Sequence, residues 1–520
     1  MAVGARLRPN RRWSRSSCNS VRGVERNAVG YDTDINDSFM DDSNLTALPF
    51  IGRERYFEAI RDELTAVRET RAGRFISMRG RRRVGKSRLV EEFLRAEGIP
   101  YVFYTASRES LEKELVAFTS DIASSALPQA EEVREGMTFG TWQGALRWLA
   151  SSSTEPTVVV IDELPYLIEQ DGSIEATLQT AWDRFLSRAP VLLIVVGSDL
   201  SMMEALSSYD RPLYGRPTKE MVVEPLTPYE MTTMLGIEPE QTFDTFLAIG
   251  GFPQIAQNWR GAPSLWKFLE RELNDPTSSL VVNGERILRA EFPKALQAAD
   301  VLKVIGAGER TFSNISGRLE GIPATSLTRS LKTLIDDKRV ASELQPLSTR
   351  EADEPRYIVA DTYLRFWLRF VGPHLSEIER GRGDLVLAKI KADWSTYRGK
   401  AIEPLIHAAI ERLLPDDRFG DTRKVGGYWT RTNDPEVDLV GVELANNLNP
   451  KRVSLVGAVK WREREPFKRN DLTDLITKRA QVPGTDDDTL LVGVSRSGFA
   501  TDGLDVTLSP DDLLDAWRPR

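Results

Sequence analysis

One stretch near the start of the chain constrains its fold more than any other. Residues 80–87 read Gly-Arg-Arg-Arg-Val-Gly-Lys-Ser, which fits the spacing G-x-x-x-x-G-K-[ST]. A strand-like run, Phe75–Met78, precedes this stretch, and a helix-forming run, Arg88–Leu94, follows it. In a strand–loop–helix unit of this kind, backbone N–H groups and the positive end of the helix dipole surround phosphate oxygens. The sequence therefore predicts a phosphate-binding loop in an α/β fold.

The residue types in this loop predict separate roles in binding ATP and Mg²⁺. Lys86 would reach the outer phosphates, and the hydroxyl of Ser87 would ligate the magnesium ion. A glycine loop that matches by chance is the alternative, and a second motif further along the chain counts against it. The predicted nucleotide contacts are Gly80, Arg81, Arg82, Arg83, Val84, Gly85, Lys86, Ser87 and Arg88.

The second motif is an apolar run that ends in two acids. Val158–Ile161 consists of β-branched residues, and Asp162 and Glu163 follow directly. This pattern predicts a buried strand that delivers carboxylates at its C-terminal end. Asp162 would hold the Mg²⁺, and Glu163 would act as general base toward the attacking water. The alternative, two acids that merely end a strand, is weaker beside an intact phosphate-binding loop.

Two further residues are candidates for contact with the γ-phosphate. Val191–Val196 predicts another buried strand, and Ser198 follows its tip. Ser198 would hydrogen-bond the γ-phosphate or the lytic water, or else it ends the strand in a purely structural role. Arg216 would sense or stabilise charge on the γ-phosphate. A surface salt bridge is the competing interpretation for Arg216.

Length and composition limit the kinds of protein that this chain can be. A chain of 520 residues is too long for a single core, so several domains are expected. One cysteine and two histidines exclude a disulfide framework and leave little for a zinc site. The longest apolar runs are too short to span a bilayer, so we expect a cytoplasmic protein without a membrane segment. Residues 1–47, rich in arginine and then in aspartate, predict a disordered tail.

Six motifs in sequence order resemble one known family. They are Phe-x-Gly-Arg-Glu at 50–54, the phosphate-binding loop, Ile-Asp-Glu-Leu-Pro at 161–165, Gly-Ser at 197–198, Leu-Tyr-Gly-Arg at 213–216 and Gly-Gly-Phe-Pro at 250–253. Over residues 48 to 290 the chain resembles the prokaryotic "archaeal ATPase" family, which groups with the AAA+ and STAND P-loop ATPases. The resemblance implies an AAA+-like core at 48–235 and a helical lid at 236–294.

The same resemblance assigns residues outside the loop. Phe50, Gly52 and Arg53 belong to the box that lies beside the adenine in such ATPases, and Pro253 would lie close to the nucleotide. The lid segment shows no arginine in the position that such ATPases use to couple their lid to the nucleotide.

Residues 295–360 predict a winged helix-turn-helix. Leu327, Leu331 and Leu334 share one helical face, and Arg329 and Lys332 lie on the other. The exposed cations suit contacts with duplex DNA. A winged helix that serves only to pack the domains together is the equal alternative.

Residues 361–520 resemble the uncharacterised C-terminal domain appended to many archaeal-type ATPases, and their element order resembles a restriction-endonuclease-like PD-(D/E)xK fold. Glu403, Asp438 and Lys460 match its catalytic pattern, but position 458, where the fold carries an acid, is Ala458. A methyl group cannot ligate a metal. Substitution by Glu436 or Glu443 is the alternative, although Glu443 lies at the far end of its strand. We therefore expect a domain of this fold that does not cleave DNA.

Three functions follow from these features. The first is an ATPase whose Mg-ATP state controls C-terminal domains that bind a partner or DNA. The second is an ATP-regulated, metal-dependent DNA nuclease, and the third is a nucleotide-dependent switch or scaffold with little turnover. A homo-oligomer is compatible with each of them.

Overall fold

A computed structural model describes residues 50–259, 261–292, 296–350, 354–446 and 448–519. The predicted N-terminal tail, 1–47, lies outside these residues. Among the residues described, no helix is both long and apolar enough to cross a bilayer.

The first part of the chain forms a five-stranded parallel sheet. Its strands are β1 (Arg74–Arg79), β2 (Tyr101–Thr105), β3 (Thr157–Asp162), β4 (Val191–Gly197) and β5 (Lys219–Val222), in the order β2-β3-β4-β1-β5. Every residue of β3 and β4 is buried, as expected for continuous apolar strands that helices cover on both faces. Because all the strands are parallel, the loop after β1, the acids after β3 and Ser198 after β4 lie at one edge of the sheet, where open α/β sheets bind ligands.

Eight helices pack around this sheet. They are α1 (Glu54–Thr70), α2 (Lys86–Glu97), α3 (Leu111–Ser124), α4 (Ala130–Arg134), α5 (Trp142–Ser152), α6 (Leu164–Gln170), α7 (Ser173–Arg184) and α8 (Leu200–Ala205). In α2 the buried residues Leu89, Val90, Phe93 and Leu94 recur at helical spacing, which fixes this helix on the sheet with its N-terminus at the loop.

Five helices follow the sheet. They are α9 (Pro228–Leu235), α10 (Pro239–Ile249), α11 (Pro253–Ala256), α12 (Leu265–Leu273) and α13 (Ser279–Glu291). Thr227 and Glu230 form a reciprocal capping box that starts α9. Gly251 approaches the backbone of Leu226 so closely that a Cβ there would lie 2.0 Å from the carbonyl oxygen. This contact fixes the start of α11 beside the phosphate-binding loop.

The next segment contains three helices and a two-stranded hairpin, the element order that the sequence predicts for a winged helix. The helices are α14 (Leu296–Gly306), α15 (Phe312–Arg318) and α16 (Ala324–Lys332), and the antiparallel strands are β6 (Ala341–Leu344) and β7 (Arg356–Val359). A single π-helical turn, Thr333–Asp337, continues α16. Leu327, Leu331 and Leu334 are buried. Arg329 and Lys332 are exposed, so helical periodicity located both faces correctly. We call this segment the helix–hairpin unit.

The C-terminal part holds a second, mixed sheet. Its helices are α17 (Thr362–Phe366), α18 (Leu375–Glu379), α19 (Gly383–Leu413), α20 (Arg469–Arg479) and α21 (Pro510–Asp515). Its strands are β8 (Lys424–Trp429), β9 (Glu436–Leu444), β10 (Pro450–Lys460), β11 (Leu490–Ser495) and β12 (Val506–Leu508), in the order β12-β11-β10-β9-β8. The pairs β8–β9 and β9–β10 are antiparallel, whereas β10–β11 and β11–β12 are parallel.

The aromatic run that opens this part is buried. Tyr363, Phe366, Trp367 and Phe370 are each 4 % exposed or less. Trp367 lies against Gly284 of α13, where a Cβ would stand 2.1 Å from the indole ring, and its Nε1 donates to the carbonyl of Val281 at 2.7 Å. The run therefore packs the C-terminal part onto the helices that follow the first sheet, and it offers no exposed surface on which bases could stack.

Candidate nucleotide-binding site

The phosphate-binding loop holds Lys86 between its own carbonyl groups. Lys86 is 6 % exposed, and its Nζ donates to the carbonyl oxygens of Gly80 at 2.8 Å and Arg81 at 3.1 Å. Burial lowers the pKa of Lys86 to about 8, and the charges of Glu163 and Asp162 oppose this shift. Gly85 has a φ of 88°, in the left-handed region, and a Cβ on Gly80 would lie 2.4 Å from the carbonyl oxygen of Val223. Both glycines are therefore required by the shape of the loop.

Ser87 and Asp162 meet at the predicted metal position. Ser87 Oγ donates to Asp162 Oδ2 at 2.6 Å, and Asp162 Oδ1 accepts the backbone N–H of Glu163 at 3.0 Å. Burial raises the pKa of Asp162, and the hydrogen bond from Ser87 opposes that shift. A hydroxyl and a carboxylate side by side are hard oxygen donors of the type that Mg²⁺ prefers, so these two residues fit the ion.

Glu163 is held by Ser198. Its Oε2 accepts the Oγ–H of Ser198 at 2.8 Å and the backbone N–H of the same residue at 3.3 Å. Glu163 itself has a φ of 52°, a left-handed conformation that is unfavourable for a residue with a side chain. The structure thus brings together the predicted base and Ser198, and the Ser198 hydroxyl donates its hydrogen bond to the carboxylate of that base.

Arg53 braces the loop from behind. It is 4 % exposed, and its guanidinium donates to the carbonyl oxygens of Glu224 at 2.6 Å and Val84 at 2.8 Å. Burial lowers the pKa of Arg53. Gly52 has a φ of 72°, and a Cβ there would lie 2.4 Å from the carboxylate of Glu230. The Phe50 ring stacks on that of Phe57 at 5.4 Å, so the box packs onto the fold at each of its three predicted positions.

The three arginines within the loop face different neighbours. Arg81 turns toward the helix–hairpin unit, where it donates to the carbonyl of Arg339, and its NH1 lies 3.8 Å from Asp361. The guanidinium of Arg82 lies 5.6 Å from the centre of the Tyr166 ring. Arg83 donates to Gln254 at 3.4 Å.

A cavity of about 350 Å³ opens over the loop, and it includes an arginine that the motifs did not indicate. Arg83, Lys86, Ser87 and Glu163 line one side, and Arg286 of α13 lines the other. The charge of Arg286 lowers the pKa of Arg83, although burial has the larger effect. Only the packing of α13 places Arg286 here, since no local sequence signal marks it.

Three further residues of the predicted site are Pro253, Arg88 and Arg216. A Cβ built on Gly85 would lie 4.0 Å from Pro253 Cγ, so this proline lies beside the loop, and its contact with the nucleotide stays a prediction. Arg88 lines the cavity and pairs with Glu92 at 2.6 Å. Arg216 instead forms an ion pair with Asp183 at 2.9 Å, and no hydrogen bond or ion pair within the described ranges joins it to the loop.

The three C-terminal residues that match the nuclease pattern do not all contact one another. Burial, followed by the charge of Asp438, raises the pKa of Glu403 to about 7, so these two residues are neighbours. Asp438 Oδ2 accepts the backbone N–H of Val459 at 3.0 Å, whereas the Nζ of the next residue, Lys460, lies 3.8 Å from Asp471 Oδ1 of α20. Strand alternation does put Lys460 on the face of Ala458, but that face packs against α20. Within the described ranges, no three His, Cys, Asp or Glu side chains are grouped so as to hold a metal ion.

Two family models match the chain. Residues 50–244 match an ATPase domain found predominantly in Archaea, and residues 367–473 match archaeal and bacterial proteins of unknown function. The chain carries an archaeal-type ATPase domain. This domain contains the five-stranded sheet, the loop and both acids, and the second match covers all of α19 and of β8–β10.

The wider similarities are distant. An uncharacterised protein of Methanocaldococcus jannaschii is 26 % identical over 442 residues, which is 84 % of this chain and 93 % of that protein. The Walker-type ATPase of Pyrococcus abyssi is 19 % identical, with 61 % of this chain and 96 % of that one covered at a TM-score of 0.46. The ORC2 protein of Aeropyrum pernix, solved in ADPNP–ADP complexes, is 13 % identical, with 67 % and 97 % covered at a TM-score of 0.42.

Proposed function

We propose that this protein hydrolyses ATP with Mg²⁺ at the ATPase domain and that the nucleotide state sets the position of the C-terminal part. ATP hydrolysis is supported by a chain of hydrogen bonds that joins Ser87 to Asp162 at 2.6 Å, Asp162 to Glu163 at 3.0 Å and Glu163 to Ser198 at 2.8 Å. A hydroxyl–carboxylate pair of the kind that suits Mg²⁺ thus lies next to a held carboxylate, at the edge where open α/β sheets bind ligands.

Each residue of the site has a task in phosphoryl transfer. Lys86 would leave its carbonyl partners for the β- and γ-phosphates, and Ser87 and Asp162 would hold the magnesium ion. When bound, Mg²⁺ would neutralise negative charge on the phosphate oxygens. Glu163 would orient and deprotonate the attacking water, and Ser198 fixes the carboxylate that does so. Arg286 would contact the γ-phosphate from the opposite wall.

Two contacts support coupling to the C-terminal part. Arg81, inside the phosphate-binding loop, holds Arg339 and Asp361, which flank the hairpin. Asp244 of α10 accepts Trp461 Nε1 at 3.0 Å and pairs with Arg398 at 3.2 Å and Arg496 at 3.0 Å. A movement of the loop or of α10 would therefore be transmitted to the hairpin, to α19 and to the second sheet.

The test is a phosphate-release assay on the full-length chain, with and without duplex DNA. We expect Mg²⁺-dependent turnover that Lys86→Ala abolishes by weakening nucleotide binding, whereas the surface variant Lys303→Ala, which loses only a pair with Asp300, is unaffected. Absence of turnover together with tight ATP binding would favour the switch or scaffold.

DNA contact is the second part of the proposal, and the exposure of Arg329 and Lys332 on α16 supports it. Arg329→Gln together with Lys332→Gln should weaken duplex binding and reduce its salt dependence by about two counterions. A gel shift that shows no duplex binding at low salt would leave the helix–hairpin unit as a packing element. Contact between Arg216 and the γ-phosphate stays a prediction. Assembly into a homo-oligomer also stays a prediction, and the mass in solution with and without ATP is the measurement that tests it.

The nuclease alternative has less support. Lys460 pairs with Asp471, and Ala458 is 7 % exposed within an apolar cluster that includes Leu472. We therefore expect no plasmid cleavage with Mg²⁺ or Mn²⁺. Cleavage that disappears in Asp438→Ala would reinstate the nuclease.

A further inference from the structure

A second cavity, of about 410 Å³, lies between the helix–hairpin unit and the long helix α19. Its volume falls in the range of small-ligand sites, roughly 300–1,000 Å³. The end of α14, strand β7, α17 with its continuation and α19 form its walls. Its positively charged lining residues are Arg310, Arg318, Arg365, Arg369 and Lys400. Against these five cations, its acidic lining residues are Glu309 and Asp393.

Both acids of this cavity are already neutralised. Asp393 pairs with Arg369 at 2.8 Å, and Glu309 pairs with Arg318 at 3.0 Å. Lys400 pairs with Glu403 and Glu436, each at 3.1 Å, and neither of these acids lines the cavity. The lining therefore keeps a positive excess after its ion pairs are counted.

Arg310 and Arg365 account for this excess. Arg365 donates to the carbonyl oxygens of Val359 and Ala401, and its guanidinium forms no ion pair with a carboxylate in the described part of the chain. The Arg310 side chain makes no hydrogen bond or ion pair with any residue that the structure describes. Burial lowers the pKa of both groups, and the charge of Arg310 lowers that of Arg365 further, whereas the charge of Glu403, outside the cavity lining, opposes both shifts. Two sheltered guanidinium groups that face one cavity are stabilised by an anion between them.

We propose that this cavity is a second ligand site, which binds a small phosphorylated molecule through Arg310 and Arg365. A guanidinium group can donate two parallel hydrogen bonds to two oxygens of one phosphate group. Two guanidinium groups on opposite sides can therefore hold the same phosphate. Ile305, Ile358 and Tyr397 add apolar surface for the organic part of the ligand. The class is a mono- or diphosphorylated metabolite of roughly nucleotide size.

The position of the cations favours a small ligand over a DNA backbone. Arg310 and Arg365 are recessed between α14 and α19, whereas Arg329 and Lys332 stand exposed on α16. A bound phosphate would contact the helix–hairpin unit and the C-terminal part together. Its presence would therefore hold these two parts in the arrangement that the structure shows.

The experiment uses the full-length chain with Lys86→Ala, so that the phosphate-binding loop does not compete, and pyrophosphate as the probe. Calorimetry should show one pyrophosphate bound per chain. Adding Arg310→Gln should weaken this binding at least tenfold, and adding Arg310→Lys should restore part of it. The matched control is Arg289→Gln on the exposed face of α13, which pairs only with Glu285 and should leave the affinity unchanged.

Melting temperatures of all variants establish that they fold. If Arg310→Gln does not fold, Arg318→Gln at the exposed rim of the cavity should still weaken pyrophosphate binding by about threefold. Pyrophosphate binding equal in the Lys86→Ala chain and in its Arg310→Gln derivative would overturn the proposal, and so would the absence of binding in the Lys86→Ala chain. If the Lys86→Ala chain binds no pyrophosphate and Arg310→Gln abolishes duplex DNA binding, the cavity binds a nucleic-acid backbone and not a small ligand.

Discussion

At the scale of single residues, the ammonium group of Lys86 shows how the site is prepared for phosphate. Five loop residues lie between it and Gly80, yet the loop folds back so that the carbonyl oxygens of Gly80 and Arg81 accept hydrogen bonds from it. Burial disfavours the charged form, which is why its pKa lies at about 8 against an ordinary value of 10.5. A phosphate that replaces these carbonyls brings full negative charge, and only protonated Lys86 attracts it.

This pKa predicts a pH dependence of nucleotide binding. Below pH 8 Lys86 is mostly protonated, and above it the protonated fraction falls about tenfold per pH unit, so the apparent affinity for ATP should fall in the same way. Equilibrium titration with a fluorescent ATP analogue between about pH 6.5 and 9.5 measures it. An affinity that stays constant up to the highest pH would contradict the lowered pKa.

Ser198 offers a second prediction at this scale. Ser198→Ala removes the 2.8 Å hydrogen bond to Glu163, and a hydrogen bond to a charged group contributes about 1.5–3 kcal/mol. The kcat for ATP hydrolysis should fall roughly tenfold to a hundredfold, with little change in KM. Ser201→Ala is the control, because its hydroxyl contacts Asp199 instead. Equal kcat values in both variants would leave Ser198 without a role in positioning the base.

At the scale of secondary-structure elements, the sequence predicted what depends on local pattern. Apolar runs located β1, β3 and β4, and the motif spacing brought Ser87, Asp162 and Glu163 to one edge of the sheet. Long-range packing was not predictable. Arg286 reaches the cavity only because α13 folds back over the loop, and Lys460 meets Asp471 only because α20 covers its face of the sheet. No local spacing carries either fact.

The contact between α13 and the aromatic run gives a prediction about packing. In Gly284→Ala the new methyl carbon would lie 2.1 Å from the Trp367 indole, so either the helix or the ring must move, at a cost of about 1–3 kcal/mol. We expect a lower melting temperature and reduced ATP turnover, because α13 also carries Arg286. Gly317→Ala on α15 is the control, since a Cβ there meets nothing within 4 Å. Equal melting temperatures would show that the fold absorbs the methyl group.

At the scale of the whole molecule, Asp244 links α10 to α19 through Arg398 and to the second sheet through Arg496. Asp244→Asn leaves Arg496 without its carboxylate and Arg398 with only Glu463 at 3.3 Å. Breaking a buried pair costs about 3 kcal/mol, so the melting temperature should drop clearly, whereas Asp300→Asn on the surface should not change it. If the coupling is as proposed, the variant should also lose part of any effect of ATP on the susceptibility of the C-terminal part to limited proteolysis. A variant as stable as the parent, with an unchanged digestion pattern, would remove Asp244 from this role.

Hydrolysis at this nucleotide site depends on the held carboxylate of Glu163, and the Glu163→Gln variant tests that dependence. The amide keeps the size of the side chain and can still contact Ser198, but it cannot accept a proton from water. ATP affinity and phosphate release are measured on the same preparation of the variant and the parent. We predict that the variant binds ATP as the parent does and releases phosphate about 10²–10⁴-fold more slowly. Phosphate release at the rate of the parent would show that Glu163 is not the base.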